Sequence, residues 1–573
     1  MLQHLSFKIA GEAGFGIKEA GLIFSRVLLN QNYFVFDYSE YPSLIRGGHN
    51  TYQATFSNQK LDCFYSKLDL LIALDQQTID SDIDQLLPNG ILIFDPTVCK
   101  IPESLHRKLV PVPLQEIVKQ AQAPEITKNT VALGAAMAII DLPLSALFAS
   151  LSRSFEAKGE AVLRMNHLTA QEGFNFVKNN FPAITIKTPP SEQTEPRLFL
   201  TANDAMSLAA IASGAKAYFA YPMTPASSIL HNLAKMERAA GMVVKQSEDE
   251  IAAINQAIGA SFAGIRCAVG TSGGGFALMV EALGLAAITE TPLVVFEVQR
   301  PGPATGVPTW TGQADLNFVR HSTPGDFLRI VVAPGDVEEA FHLTTKAFNL
   351  ADKYQIPVIV LTDKLLAESR QTVTEFDHKK INIDQGNLVK NSSENYQRYA
   401  NDPSGISPRA LPDFGQGLVK ANSDEHDFAG YSTEDAQKIE QIVNKRARKV
   451  ELLKKELPPP TIYGPQNAEL TIVSWGSTKL AVNQALQKLK NDSVNHLHLT
   501  YLEPLPPQTK LRLEAAKNLV VIEGNQTGQL ASLLQEKTGV VINDRINKYN
   551  GRPFYPEEIE EKVSQMLKLK AQN

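Results

Sequence analysis

Cysteine is almost missing from this chain of 573 residues, which carries three, Cys63, Cys99 and Cys267, far apart and in no CxxC pairing. That excludes a disulfide framework and fits a reducing compartment such as the cytoplasm. It also argues against an iron–sulfur cluster bound by this chain alone, since such a cluster usually takes four thiolates. No apolar run is long enough to span a bilayer, and the N-terminal MLQHLSFKIAGEAGFG lacks the basic-then-apolar order of a secretory signal. No Lys/Arg-rich tract stands out either. The 55 Lys and Arg are interspersed with 61 Asp and Glu, so neither a nucleic-acid nor an anionic-membrane surface is expected.

What is present is the composition of an ordinary globular protein, too long for a single hydrophobic core. Over residues 1–188 the strand LSFKIA runs into GEAGFGIKEAG and a helical pattern, and LDLLIAL and GILIFD supply further strands. This alternation predicts an α/β domain with a mainly parallel sheet. It fades at TIKTPPSEQTEPR, which has the proline and polar content of a linker. A second α/β domain over 196–374 is marked by AYFAYP, RCAVGTS, PLVVFEVQ, LRIVVAP and PVIVLTD, continuous apolar runs typical of buried parallel strands. Residues 375–460 are polar, with the turn-rich NDPSGISPRALPDFG and then a charged helix that stops before three prolines. A third α/β unit over 461–573 is built on ELTIVSWGS, HLHLTYLEP and NLVVIEGN. Three separate α/β units joined by linkers are expected.

Four features of the second domain could carry chemistry. Tyr221-Pro222-Met223-Thr224-Pro225 follows the strand AYFA, at the edge where ligands of open α/β sheets gather, although Pro225 and Ser227 also suit a simple helix start. Glu248, Asp249 and Glu250 open a helix, where acidic residues ordinarily complement the dipole. Gly270-Thr271-Ser272-Gly273-Gly274-Gly275 is a glycine-rich turn that allows backbone to approach a flat ligand. By letter it also matches the G-x-S-x-G elbow of serine hydrolases. No HGGG-type loop accompanies it, however, and nothing ties His321 or His342 to Ser272 as a base. Arg300 leads the loop RPGPATG at a strand's carboxyl end, a suitable place to capture a carboxylate or to form an ordinary surface ion pair. Near the N-terminus, Gly14 and Gly16 lie in a G-x-x-G-x-G loop whose spacing departs from the dinucleotide fingerprint, and Arg46 lies in YPSLIRGGHN.

Together and in this order, YPMTPASS, QSEDEIAAINQAIGASFAG, GTSGGGFALMVEALGLA and VQRPGPATGVPT resemble the α subunit of 2-oxoacid:ferredoxin oxidoreductases. GEAGFGIKEAG and YPSLIRGGHNTYQ resemble loops of a γ-type domain fused ahead of it, and VVIEGNQTGQL resembles a transketolase-C-like domain. The resemblance covers nearly the whole chain. It implies a pyrimidine-type thiamine-diphosphate-binding fold over 196–374, flanked by γ-type and transketolase-C-like α/β domains. It implies CoA-dependent oxidative decarboxylation of a 2-oxoacid, or the reverse, with electrons passed to ferredoxin.

A carboxylate on the aminopyrimidine N1′ favours the tautomer that places a base beside the reactive carbon. The resemblance assigns that role to Glu248, with Glu250 in reserve. Thr224 would bond the substrate oxygen and Arg300 its carboxylate, while Tyr221, Pro222, Gly273 and Gly274 would line the cofactor. Gly14, Gly16 and Arg46 would contact coenzyme A or a partner. The family's G-D-G element for diphosphate and Mg²⁺ is missing, since Gly325-Asp326 and Gly335-Asp336 run on to Phe327 and Val337. Mg²⁺ and the iron–sulfur cluster are therefore expected on a β subunit, in an α₂β₂ assembly. The motifs look most like 2-oxoglutarate enzymes. Pyruvate or a branched-chain 2-oxoacid is an alternative, and a non-catalytic thiamine-domain scaffold is the alternative from another class.

Overall fold

The computed structural model describes residues 4–42, 47–188, 190–191, 197–412, 414–489 and 493–572. The chain divides into two compact units. One comprises Met1–Leu200, Ser369–Glu375 and Tyr555–Lys562, and the other Thr201–Glu368, Phe376–Phe554 and Val563–Asn573.

The first unit is built on an eight-stranded sheet with His4–Glu12 near its centre. Residues 5–11 of that strand are buried throughout, the apolar residues alternating with Ser6, which is bonded to Thr55, and Lys8, which is paired with Asp82. On one side Leu68–Ala73, Leu86–Phe94 and Lys108–Pro111 continue the sheet in parallel. On the other side His49–Ser57 pairs antiparallel with it, and Phe34–Glu40 in turn pairs antiparallel with His49–Ser57. The expected mainly parallel sheet is thus mixed. The connection between Phe34–Glu40 and His49–Ser57 is too short for a crossover helix, so these strands pair antiparallel. Gln371–Thr374 also pairs here, between Phe34–Glu40 and Arg197–Leu200. Asp37 fixes the returning segment by accepting the Arg370 backbone N–H at 2.5 Å and the Tyr52 hydroxyl at 2.7 Å.

The second unit holds a seven-stranded sheet ordered Tyr501–Glu503, Ile330–Val332, Pro357–Asp363, Leu293–Gln299, Cys267–Thr271, Ala217–Ala220 and Val243–Gln246. All but the first strand are parallel. The C-terminal five-stranded sheet packs around Leu470–Trp475. It is not a separate body. Val473, Trp475, Leu497 and Val521 share one core with Val269, Val295 and Ile359, and Tyr501–Glu503 pairs directly with Ile330–Val332.

The polar stretch after residue 375 is anchored rather than free. Its helix Ala436–Glu456 buries Lys445 and Lys449 against the two oxygens of Glu290, at 2.5 and 2.6 Å. Arg398 and His426 bond the carbonyls of Glu290 and Ile288, which would otherwise be orphaned at the end of helix Gly273–Ile288.

Candidate active site

Parallel strands deliver their carboxyl ends to one edge, and four loops of the second unit meet there. The first follows Ala217–Ala220 and contains Tyr221, Pro222 and Thr224. Asn203 fixes this loop by donating to the Pro225 carbonyl at 2.9 Å and to Ser228 Oγ at 2.7 Å. Tyr221 is exposed, whereas Pro222 and Thr224 are half-buried.

The second loop follows Val243–Gln246. Asp249 is the N-cap of helix Glu250–Phe262, accepting the Ala252 N–H at 2.7 Å, so it does the ordinary work of an acidic residue at a helix start. That cap fixes the orientation of its neighbours. Glu248 points to solvent, while Glu250 is buried and its Oε1 has no hydrogen-bond partner.

The third loop is the glycine turn that opens helix Gly273–Ile288. A Cβ at Gly275 would stand 2.1 Å from Thr271 Oγ1 and 2.5 Å from Glu250 Oε1, so only glycine leaves the Glu250 carboxylate its place. Gly273 lies against Asp315, and Gly274 faces open space but for the Ala304 carbonyl. Ser272 is fully buried and its hydroxyl has no partner. His321 Nδ1 is bonded to the carbonyl of Asn317, 2.9 Å away, and no bond links any histidine to Ser272.

The fourth loop begins at Arg300. Its Nη1 donates to the Thr224 carbonyl at 2.7 Å, tying two motifs 76 residues apart in sequence. Its Nε is buried without a partner. Beneath it, on the Leu293–Gln299 strand, Glu297 is fully buried with neither carboxylate oxygen bonded. Burial drives the Glu297 carboxyl well above the usual range; Asp315 and Asp363 add to this, and Arg300 opposes it. Burial also lifts Asp315 to about 6, against the pull of Arg300.

Buried polar atoms are normally paired, so unpaired oxygens on Glu250, Ser272 and Glu297, with an unpaired Nε on Arg300, mark a place built to receive a ligand. A carboxyl oxygen can accept from or give a proton to a ring nitrogen, and a guanidinium can bind an anion.

Compared with known proteins, the chain is 32% identical to a 2-oxoacid:ferredoxin oxidoreductase subunit alpha of Sulfolobus sp, over 98% of this chain and 97% of that one. This chain belongs to that family. As an α subunit it implies a partner subunit, with ferredoxin as electron acceptor. A family model described as pyruvate flavodoxin/ferredoxin oxidoreductase, thiamine diP-bdg, matches residues 208–445 of the α subunit, the stretch that contains all four loops. A second, pyruvate ferredoxin/flavodoxin oxidoreductase, matches residues 6–176. The solved 2-oxoglutarate:ferredoxin oxidoreductase from Magnetococcus marinus, with 2-oxoglutarate, coenzyme A and succinyl-CoA bound, superposes with a TM-score of 0.93. It is 31% identical and covers 99% of this chain and 100% of that one. The 2-oxoglutarate synthase subunit KorA of Methanothermobacter thermautotrophicus is 32% identical over 65% of this chain and 98% of its own.

The structure therefore brings Thr224, Gly273, Gly274 and Arg300 of the α subunit to one edge, with Tyr221 and Pro222 on the same loop as Thr224. Gly14 and Gly16 belong to the other unit, where Gly16, at φ 69°, precedes helix Ile17–Asn30. Arg46 lies outside the described residues. Glu297 and Asp315 were not singled out by the sequence. A carboxylate inside the apolar run LVVFEVQ was the one signal that could have flagged Glu297.

Proposed function

We propose that this α subunit supplies the pyrimidine side of a thiamine-diphosphate site and the anion anchor for a 2-oxoacid. We further propose that its physiological substrate is 2-oxoglutarate, converted with coenzyme A to succinyl-CoA or formed in reverse. The observation that carries the reading is the buried, unpartnered Oε1 of Glu250. The aminopyrimidine needs a carboxyl oxygen free to meet its N1′, and an oxygen with no other partner fits that need. Glu250 is thus preferred to the exposed Glu248 for this contact. When bound, thiamine diphosphate supplies the nucleophilic carbon and the electron sink for decarboxylation.

The chain's own residues have distinct tasks. Glu250 holds the proton shared with N1′. The Gly273–Gly274 turn admits the ring to the backbone, with Tyr221 and Pro222 lining the approach. Arg300 pairs with the oxoacid carboxylate through the guanidinium edge not committed to Thr224, and the Thr224 hydroxyl bonds the keto oxygen. Mg²⁺ and the iron–sulfur cluster are assigned to the β subunit of an α₂β₂ cytoplasmic complex. Gly14, Gly16 and Arg46 are proposed as contacts for coenzyme A or that partner. The choice of 2-oxoglutarate is supported by the names of the Magnetococcus marinus and KorA relatives.

The test is anaerobic, coenzyme-A-dependent reduction of a viologen dye by the co-expressed α/β complex. 2-Oxoglutarate, pyruvate and 2-oxoisovalerate are supplied separately. Strong preference for 2-oxoglutarate is expected. Preference for another acid would overturn the substrate, and no reduction by a fully loaded complex would favour a scaffold.

A further inference from the structure

Arg300 is poorly satisfied for a half-buried guanidinium. It makes one bond to a neutral carbonyl, its Nε is unpaired, and among the described residues no carboxylate forms an ion pair with it. Yet two acidic side chains lie close enough to feel its charge, Asp315 and Glu297. Asp315 lies against Gly273, where a Cβ would stand 2.6 Å from Oδ2. Its backbone N–H is bonded to Gln299 Oε1 at 3.0 Å, so its position is fixed from the same strand end that carries Arg300. Although Asp315 precedes helix Leu316–His321, its carboxylate caps no N–H there. A fixed acid with no structural bond, beside a glycine turn and an anion-binding arginine, is free to change charge.

We propose that Asp315 couples oxoacid binding at Arg300 to the uptake of one proton from solvent. This rests on the assignment of Arg300 as the anchor of the oxoacid carboxylate. In the free site Asp315 is the carboxylate that offsets Arg300. An arriving carboxylate takes over that role, and repulsion between two anions around one guanidinium is relieved when a proton from water bonds to an Asp315 oxygen. The charge balances: one negative charge enters with the oxoacid and one is removed at Asp315, whose new O–H bond replaces an O–H bond of hydronium or a buffer acid, leaving water or the conjugate base in solution.

The other charged groups facing this place fit the same account. Burial and its acidic neighbours push the Glu297 carboxyl well above the usual range, which disfavours its charged form as the counter-ion. Asp363 is occupied by the hydroxyls of Ser477 and Thr311 and by the backbone N–H of Leu366. Glu250 is directed at Gly275 rather than Gly273. Asp315, lifted to about 6, is the group whose proton occupancy changes near neutral pH.

The linkage has a definite sign. A site whose acid is more protonated when the anion is bound holds that anion more tightly below the free acid's pKa and loses affinity as pH rises. With saturating coenzyme A, the KM for 2-oxoglutarate of the α/β complex should rise about tenfold per pH unit above about pH 6.5, until the acid of the bound state deprotonates. Asp315→Asn should remove this slope and give a lower KM than wild type at about pH 8. Asp315→Glu should keep the slope, which a merely structural role would not predict. It also provides the test if the Asn variant fails to assemble. A flat wild-type KM, or a slope that persists in Asp315→Asn, overturns the proposal. Arg300→Ala separates the two assignments. If it leaves KM unchanged, the anchor is wrong; if it raises KM while wild type is flat, only the proton coupling fails.

Discussion

Glu250 occupies the space that a side chain on Gly275 would need: a Cβ there would stand 2.5 Å from its Oε1 and 2.1 Å from Thr271 Oγ1. Thr271 is a short β-branched residue on the strand Cys267–Thr271, stiff about its Cα–Cβ bond, so the longer Glu250 side chain is the one expected to yield. Gly275→Ala should therefore displace Glu250. We expect viologen-dye turnover of the α/β complex to fall about tenfold or more, for a stability loss of about 1–3 kcal/mol by chemical denaturation. Unchanged turnover would mean that the position of Glu250 does not matter.

Arg300→Ala should raise the KM for every 2-oxoacid by about ten- to a hundredfold, the range expected for loss of a charge-assisted bond. Steady-state kinetics on 2-oxoglutarate, pyruvate and 2-oxoisovalerate check this. A loss confined to 2-oxoglutarate would move Arg300 to the distal carboxylate.

Much of this organisation was legible in the sequence, and the exceptions have physical causes. The inner strands of the seven-stranded sheet stand out as apolar runs because both faces are covered, whereas the edge strand Val243–Gln246 is exposed. The rule that ligands gather at carboxyl edges then placed Thr224 and Arg300 together before any coordinates. Glu248 and Glu250 could not be separated in this way. Which one faces inward depends on where the helix begins, and the run Glu248-Asp249-Glu250 leaves that register open until the Asp249 cap is seen. The direction of His49–Ser57 was equally hidden, because buried strands read alike whichever way they run. The third unit looked separate because its tie to the seven-stranded sheet is a strand of three residues, Tyr501–Glu503, just before Pro504.

Glu290→Gln should destabilise the second unit strongly. It removes the one carboxylate shared by Lys445 and Lys449 and leaves both ammonium groups buried without a counter-charge. A cost of about 3–5 kcal/mol is expected, read as a shift in the denaturation midpoint. A variant as stable as wild type would show that the clasp on helix Ala436–Glu456 contributes little.

Asp69→Asn should stabilise the first unit at neutral pH. Burial lifts the Asp69 carboxyl to about 6, partly opposed by the Ser6 N–H that donates to it at 2.8 Å, a bond Asn can keep. The folded state binds more protons than the unfolded state between the ordinary carboxylate pKa and about 6. The contribution of Asp69 is thus greatest at acid pH and is lost as pH rises through about 6. The Asn variant should gain about 2 kcal/mol at pH 7 and nothing near pH 4, measured by thermal unfolding at both values. A gain that does not depend on pH would contradict this.

The most direct test of the account compares Glu250→Gln with Glu248→Gln in the co-expressed α/β complex, both assayed for 2-oxoglutarate-dependent viologen reduction. Glu250→Gln should assemble normally and lose about a hundredfold in turnover, because an amide cannot exchange the proton with N1′. Glu248→Gln, altered at an exposed position, should cost far less. The reverse order, with Glu248→Gln inactive and Glu250→Gln active, would contradict the site as built here.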